Sequence, residues 1–323
     1  MIAYKARSIV GQLMDGYHVY NYATDNQAGI SRMPQYDALN HLGHLNSILT
    51  WKKMYGALHL FCNEEAKAQI ARYDLLKYYD SINTDLLHST NRMFWSYCKI
   101  QLAKHLADQH QLPFCIFDND LWFRQPHFLD KPADIVLFHE ELYDEAHPLT
   151  HYPDPARYVT SELLAKLDWS ILPKNSAIMC FKTNKNEIIN KWYDIATAVV
   201  AKFNYDLSPW DAQVGTMFIE QRLLSTLAAY HDVEVATILP CKYRTHNEMN
   251  DGSEWVPRLE STPESIYVAA NIKHIWGAKR RYDNADIRRL VFVAAVTSAL
   301  EVCDVVREHP QLIEDCLKCI VLD

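Results

Sequence analysis

Two aspartates one position apart, Asp118 and Asp120, close the apolar run Phe114-Cys-Ile-Phe117 and lead into Leu121-Trp-Phe123. Alternate residues of a strand project to the same side of a sheet, so both carboxylates are expected to leave a strand end together. Such a pair is costly unless a cation or hydrogen-bond donors hold it. Hard divalent ions take oxygen ligands and share them with substrate phosphates. The expected chemistry is therefore a metal meeting a phosphorylated ligand. An isolated Asp-x-Asp triplet is more often a solvated turn or a helix cap. The apolar residues on both sides favour a buried strand that delivers its end to a cleft, where α/β proteins bind ligands.

A second constellation is Lys273-His-Ile-Trp-Gly-Ala-Lys-Arg280. His274 can complete a metal shell through an imidazole nitrogen. Gly277 lets the backbone approach a ligand closely, and Lys279 with Arg280 can neutralise a diphosphate leaving group. The plainer alternative is a surface strand and turn with solvated basic residues.

Elements that must position these groups follow from periodicity. Leu39, Leu42, Leu45, Ile48, Leu49 and Trp51 predict a helix over Tyr36–Tyr55, stopped at Gly56. Leu58–Cys62 reads as a strand, and Asn63 caps a helix behind it. Arg92–Leu106 reads as a helix feeding the Asp-x-Asp strand, and Asp134–Phe138 as a further strand. His139–Pro173 is expected to be a long loop with a short helix near Ser161–Leu167. Beyond it come a strand at Ala177–Phe181, a helix at 186–203 and a second helix within Pro209–Tyr230. Ile266–Ala270 and Ile272–Ile275 read as extended, and 283–322 as helical with a break near Pro310. Strands alternating with helices predict a mainly parallel, covered sheet. The expected organisation is a catalytic-type domain over 1–282 and a C-terminal helical extension over 283–323.

Of the 323 residues, 49% are hydrophobic and 22% charged, which fits a globular chain; the net charge of -8 without a basic block argues against nucleic acid as a partner. Met1–Val10 carries Lys5 and Arg7 without a following apolar stretch, so no export signal is expected and the cytoplasm is the expected compartment. The eight cysteines are read accordingly as reduced core thiols, and Cys316-Leu-Lys-Cys319 lacks the partners of a zinc site. The apolar run Leu290–Leu300 is too short to span a bilayer. It reads as a packed helix that leaves an oligomer interface or a peripheral membrane contact open.

Taken together, an apolar strand ending in Asp-x-Asp and a downstream His-x-x-Gly-x-Lys resemble the metal-dependent GT-A glycosyltransferases. The nearest parallel is the retaining group that includes glycogenin and bacterial lipopolysaccharide galactosyltransferases, and an uncharacterised bacterial family with Pro-Phe-x-x-x-Asp-x-Asp and His-x-Trp-Gly-x-Lys is similar as well. The resemblance covers roughly residues 55–280 by order of motifs. It implies a Rossmann-like GT-A fold of α/β class, with a mixed, mainly parallel sheet covered by helices. It further implies a sugar transfer from a nucleotide-sugar donor, such as a UDP-sugar, to a saccharide or other hydroxyl acceptor with retention. Asp118, Asp120 and His274 would hold Mn²⁺ or Mg²⁺, with Asp118 also on the donor ribose. Lys99, Asn175, Gly277 and Lys279 match donor-binding positions. Glu220-Gln221 is the counterpart of the family's Asp-Gln pair, the catalytic positions beside the donor sugar, where it would position the sugar and stabilise an oxocarbenium ion. This chain departs from the pattern in three places: one fewer residue precedes Lys279, no proline follows it, and Ala177 replaces the glycine of Asn-x-Gly. The N-terminal nucleotide-binding strand is expected at Ser8–Val10, with Tyr17–Tyr22 toward the base. Trp122, Trp276 and tyrosines of 143–158 are candidates to stack on an acceptor sugar.

Two other classes compete. Haloacid-dehalogenase-type phosphatases also end a strand in Asp-x-Asp, with the first Asp as nucleophile, but usually carry Thr or Val where Trp122 stands. A degenerate sugar-nucleotide fold acting as a binding or scaffold subunit is the non-enzyme reading.

Overall fold

A computed structural model describes residues 14–20, 36–87, 96–123, 131–142, 162–202, 215–238, 242–244, 272–274 and 282–321. Among them, seven strands form the main sheet: β1 (Asp15–Tyr20), β2 (Leu58–Cys62), β3 (Ser81–Asn83), β4 (Phe114–Phe117), β6 (Ile135–Leu137), β8 (Ile178–Phe181) and β9 (Val235–Thr237). Their order is β3-β2-β1-β4-β8-β6-β9. Strand β8 runs antiparallel to both its neighbours, while every other adjacent pair is parallel. The chain is thus an α/β protein with a mixed, mainly parallel sheet. Two short pairs stand apart: β5 (Leu121–Phe123) with β11 (Ile272–His274), and β7 (Glu140–Leu142) with β10 (Lys242–Arg244).

Alternation along the strands divides the core into two. Cys115 and Phe117 of β4 face one apolar cluster, and Phe114 and Ile116 face the other. The first cluster is covered by α1 (Asp37–Met54), α2 (Glu64–Ala71) and the C-terminal helices α7 (Ala285–Leu300), α8 (Val305–Glu308) and α9 (Pro310–Val321). The second is covered by α3 (Tyr97–Asp108), the short α4 (Glu162–Lys166), α5 (Asn186–Lys202) and a helical stretch over 215–230 that ends in α6 (Leu223–Tyr230). The helices after 283 therefore share one core with α1.

Helix α1 is buried on nearly every side, as a helix enclosed between a sheet and a second helical layer must be. Asp37 in its first turn and Lys52 and Lys53 in its last complement the helix dipole. Gly56, at φ 110, then takes a left-handed turn that L side chains resist, and sends the chain into β2. Asn63 caps α2, its Oδ1 accepting from the backbone N–H of Ala66 at 3.0 Å. Gly16 of β1 lies under the indole of Trp51; a Cβ there would stand 2.2 Å from the ring.

Three sequence expectations change. The strand beside β2 is Asp15–Tyr20, in the segment read as base-contacting, whereas Ser8–Val10 lies outside the described residues. Tyr17, His18 and Tyr20 are all part-polar and blur the alternation there, although Tyr17 and His18 are buried in the sheet. Cys115 and Cys180, direct partners across β4 and β8 with Cα atoms 4.1 Å apart, are joined by a disulfide rather than being free thiols. Cys62, Cys98, Cys303, Cys316 and Cys319 form no disulfide. Finally, the helix read as starting at Arg92 is described from Tyr97; Ile266–Ala270 and 88–95 lie outside the described residues. No described helix is long and apolar enough to cross a membrane.

Candidate functional site

Strand β4 ends at Phe117, and Asn119 and Asp120 form a turn. The carboxylates of Asp118 and Asp120 are therefore set by that turn, and strand alternation no longer decides their direction. The turn lies at the carboxyl end of β4 next to β1, where the chain order reverses, β1 having β2 on one side and β4 on the other. Open α/β sheets bind ligands at such a switch point. The segment there is held from the lead-in to the neighbouring strand β8 and from α1 on one face of the sheet. Asp118 N–H donates to the carbonyl of Ala177, ahead of β8, at 2.8 Å. From α1, the Ser47 hydroxyl donates to the Asp118 carbonyl at 3.4 Å, Thr50 Oγ1 accepts from Phe123 N–H at 3.1 Å, and the Gly43 carbonyl accepts from Trp122 Nε1 at 2.9 Å. Positions 43, 47 and 50 share one face of the helix, so a single polar stripe docks the whole 118–123 segment.

The Asp118 carboxylate meets a buried cation. Lys99 Nζ, on α3, lies 2.6 Å from Asp118 Oδ1 and 2.7 Å from Glu220 Oε1, and donates to the Ser176 carbonyl at 3.2 Å. The Lys99 side chain is 13% exposed and that of Glu220 4%, while Asp118 keeps 29%, so the cluster opens to solvent only on the Asp118 side. Burial by itself would lower the Lys99 ammonium, but the two carboxylates outweigh it and hold the group above its ordinary value. Glu220 reaches this position from a π-turn, Phe218–Arg222, inserted in the 215–230 helix. Such a turn adds a residue per turn and shifts the register of side chains around the axis, which is why it recurs at functional sites. The Glu220-Gln221 pair stands inside the helix expected within Pro209–Tyr230, both residues buried, with Gln221 Nε2 3.1 Å from Met217 Sδ. Burial pushes the neighbouring Cys98 thiol up to about 12, so it stays protonated and is no nucleophile.

Asp120 is 5% exposed. The buried groups whose ionisation it influences, His18 and Tyr282, belong to the α1 side of the core, away from Lys99. Burial, and secondarily Asp120, raises the Tyr282 phenol. Tyr282 precedes α7 and is clamped by Arg288, itself buried, which donates through Nη1 to the carbonyls of Tyr282 at 2.6 Å and Asp283 at 3.1 Å and to the Tyr36 hydroxyl at 3.2 Å. Sequence reasoning missed this link from the C-terminal helices to the Asp-x-Asp turn; the Arg288-Arg289 pair in an apolar helix was its only signal.

The antiparallel register of β5 and β11 sets His274 opposite Leu121, the residue after Asp120. Chain segments 150 residues apart are thus neighbours at the turn. Asn175 lies beside the site: its Oδ1 accepts from Ala177 N–H at 2.9 Å, shaping the loop that receives Asp118 N–H. Trp276, Gly277, Lys279, Arg280 and tyrosines 143, 152 and 158 lie outside the described residues. Trp122 is 1% exposed and bonded to Gly43, so it is a core residue and not a stacking platform for an acceptor. Among the described residues no group of three or more His, Cys, Asp or Glu side chains forms a metal cage. Asp118 and Asp120 are oxygen donors of the kind that suits a hard divalent ion, but here the Asp118 carboxylate is turned to Lys99 and Asp120 is buried toward the α1 side of the core.

No protein-family model matches the chain, and a search of curated proteins finds none that matches. Among solved structures, one titled PaToxG Glycosyltransferase aligns over 95% of this chain and 86% of its own, with 11% sequence identity and a TM-score of 0.37. A likeness that loose carries no argument about function.

Proposed function

We propose that the protein is a metal-dependent glycosyltransferase of GT-A type, moving a sugar from a nucleotide-sugar donor, such as a UDP-sugar, to a saccharide or other hydroxyl acceptor with retention. The observation that carries this reading is the Lys99 ammonium bridging Asp118 and Glu220 at the carboxyl end of β4. It joins three positions that the motif resemblance assigns to the donor and that the sequence scatters over more than a hundred residues. In this reading Asp118 and Asp120, with His274 on the adjacent strand, hold Mn²⁺ or Mg²⁺. The ion supplies Lewis-acid stabilisation of charge on the departing diphosphate. Lys99 orients Asp118 toward the ribose and holds Glu220 in place, so Glu220 and Gln221 act on the sugar by position and electrostatics. A carboxylate tied to a buried ammonium is a poor nucleophile, which agrees with transfer that builds no covalent sugar-enzyme bond. Gly277 and Lys279 complete the donor contacts.

The test is thermal stability with UDP, GDP and CDP, each with and without Mn²⁺. A ligand specific for the folded state at a hundred times its dissociation constant adds about 2.7 kcal/mol, which a melting curve resolves. The expected result is a metal-dependent shift with one nucleotide, lost in Asp120→Ala and His274→Ala, and metal-dependent hydrolysis of the matching sugar donor. Binding without hydrolysis or transfer would make the chain a sugar-nucleotide-binding subunit. No shift, with phosphate-ester hydrolysis lost in Asp118→Asn, would replace the reading by a phosphatase.

A further inference from the structure

Behind the Asp118 turn, on the face opposite Lys99, lies a chain of buried neutral groups. His44 Nε2 is 2.6 Å from the Tyr79 hydroxyl, which is 2.7 Å from His18 Nδ1. His18 Nε2 is 3.1 Å from the Ser47 hydroxyl, and that hydroxyl reaches the Asp118 carbonyl at 3.4 Å. His18, His44, Ser47 and Tyr79 are all buried. They come from three parts of the chain: β1, α1, and the segment that joins the 3₁₀ turn Leu75–Tyr78 to β3. None belongs to the motifs that suggested the site.

The end of this chain dictates the direction of all its bonds. A carbonyl oxygen only accepts, so Ser47 spends its single proton on Asp118. Ser47 Oγ must then accept from His18, which places the His18 proton on Nε2. A neutral imidazole with a proton on Nε2 has an acceptor at Nδ1, so Tyr79 donates there. The Tyr79 oxygen in turn accepts from His44 Nε2. One self-consistent assignment results, with both imidazoles neutral, as complete burial requires. His18 also sits beside Phe117 in the β1–β4 register and packs against its ring at 4.4 Å, so the imidazole has little room to turn over.

We propose that His44, Tyr79, His18 and Ser47 form a one-way hydrogen-bond relay that positions the Asp118 carbonyl, and with it the turn carrying Asp118 and Asp120. Ser47 is the positioning residue that touches the turn; the other three keep its proton aimed at Asp118. The relay holds the backbone of the residue whose carboxylate Lys99 holds from the other side. Its consequence for ligand binding rests on the donor-site reading above, whereas the relay itself does not.

Two measurements separate those claims. In the ligand-free protein, imidazole ¹⁵N shifts report the tautomer, and the backbone ¹³C shift of Asp118 reports the bond to its carbonyl. The expected result is the Nε2–H form at His18 and His44, and an Asp118 carbonyl shift that moves in Ser47→Ala but stays in Ser47→Thr, which keeps the hydroxyl. An Nδ1–H form at His18, or an Asp118 shift indifferent to Ser47→Ala, overturns the relay whatever the site binds. The second measurement is the Mn²⁺ concentration at half-effect in the nucleotide-dependent melting shift. Ser47→Ala and Tyr79→Phe are expected to raise it roughly tenfold, as loss of a group that orients a metal ligand does, with Ser47→Thr restoring it. Equal midpoints in all variants overturn the positioning role. A wild-type protein with no metal-dependent shift fails the donor-site reading instead, and the ¹³C result then decides the relay alone.

Discussion

The two faces of the sheet grip the same residue by different means. On the α3 face, a buried charge network holds the side chain of Asp118 through Lys99 and Glu220. On the α1 face, neutral donors and acceptors hold its main chain and the strand that follows, through Ser47, Thr50 and Gly43. The difference bears on robustness. A neutral network that loses one member leaves a single unsatisfied dipole. A charge network that loses its cation leaves Glu220, a carboxylate nearly inaccessible to water, without the ammonium that faces it. The charged face is thus suited to respond to a ligand that brings its own charge, and the neutral face to hold the frame against which that response occurs.

The largest expected effect comes from cutting the charged face. Lys99→Met strands Glu220, and breaking one partner of a buried pair costs about 3–5 kcal/mol. Urea unfolding of Lys99→Met, Glu220→Leu and the double variant forms a cycle in which the double variant should be more stable than Lys99→Met alone. A double variant no more stable than the single one would sink the contrast between the faces, because Glu220 would then not depend on Lys99.

Next is acid. Burial holds the His18 imidazole down to about 3, against an ordinary 6.5, with Asp120 opposing the shift. Between those values the unfolded chain binds the proton that the native relay refuses, so stability falls as pH drops from about 6.5 toward 3. One such group sets a slope of up to about 1.4 kcal/mol per pH unit. Unfolding free energies from pH 7 to pH 4 should decline less steeply in His18→Gln than in wild type. The His309 imidazole, also lowered by burial, still contributes in both proteins. Parallel curves would mean that His18 takes up its proton in the native state.

A clash comes third. Gly16→Ala on β1 would bring a methyl group against the Trp51 ring, at a cost of about 1–3 kcal/mol of overpacking; an unchanged melting temperature would show that Trp51 is free to move. The smallest effect is expected from the neutral face, where Thr50→Val keeps the shape and removes a hydroxyl that accepts from Phe123 N–H and donates to the Asn46 carbonyl of its own helix. That loss should cost about 1 kcal/mol and leave the Lys99 cycle unchanged. A loss as large as that of Lys99→Met would erase the distinction between the two networks.

Much of this frame is legible in the chain itself. The periods of 37–54, 97–108, 186–202 and 285–321, the apolar strands 58–62, 114–117 and 178–181, and the Asn63 cap are local signals. Each depends on residues a turn or a strand apart, and the alternation of strands and helices they make implies a covered, mainly parallel sheet. The motif around Asp118 is also legible in the sequence, and the family resemblance singled out Lys99 and Glu220, which the structure brings together with Asp118.

Only tertiary structure decided how those residues meet. The reversal of β8, the joining of Cys115 to Cys180 and the turn that takes over from strand alternation at Asp118 all depend on which strands become neighbours. The π-turn that carries Glu220 shows no local pattern in the sequence, and the Lys99 it meets lies on a distant helix. His18, Ser47 and Tyr79 carry no motif, and as isolated residues each reads as an ordinary polar side chain. Their role arises from burial, which forbids charge and leaves a hydrogen bond as the remaining way to satisfy every polar atom. Sequence sets which groups can do chemistry; packing sets the dielectric and the distances at which they do it.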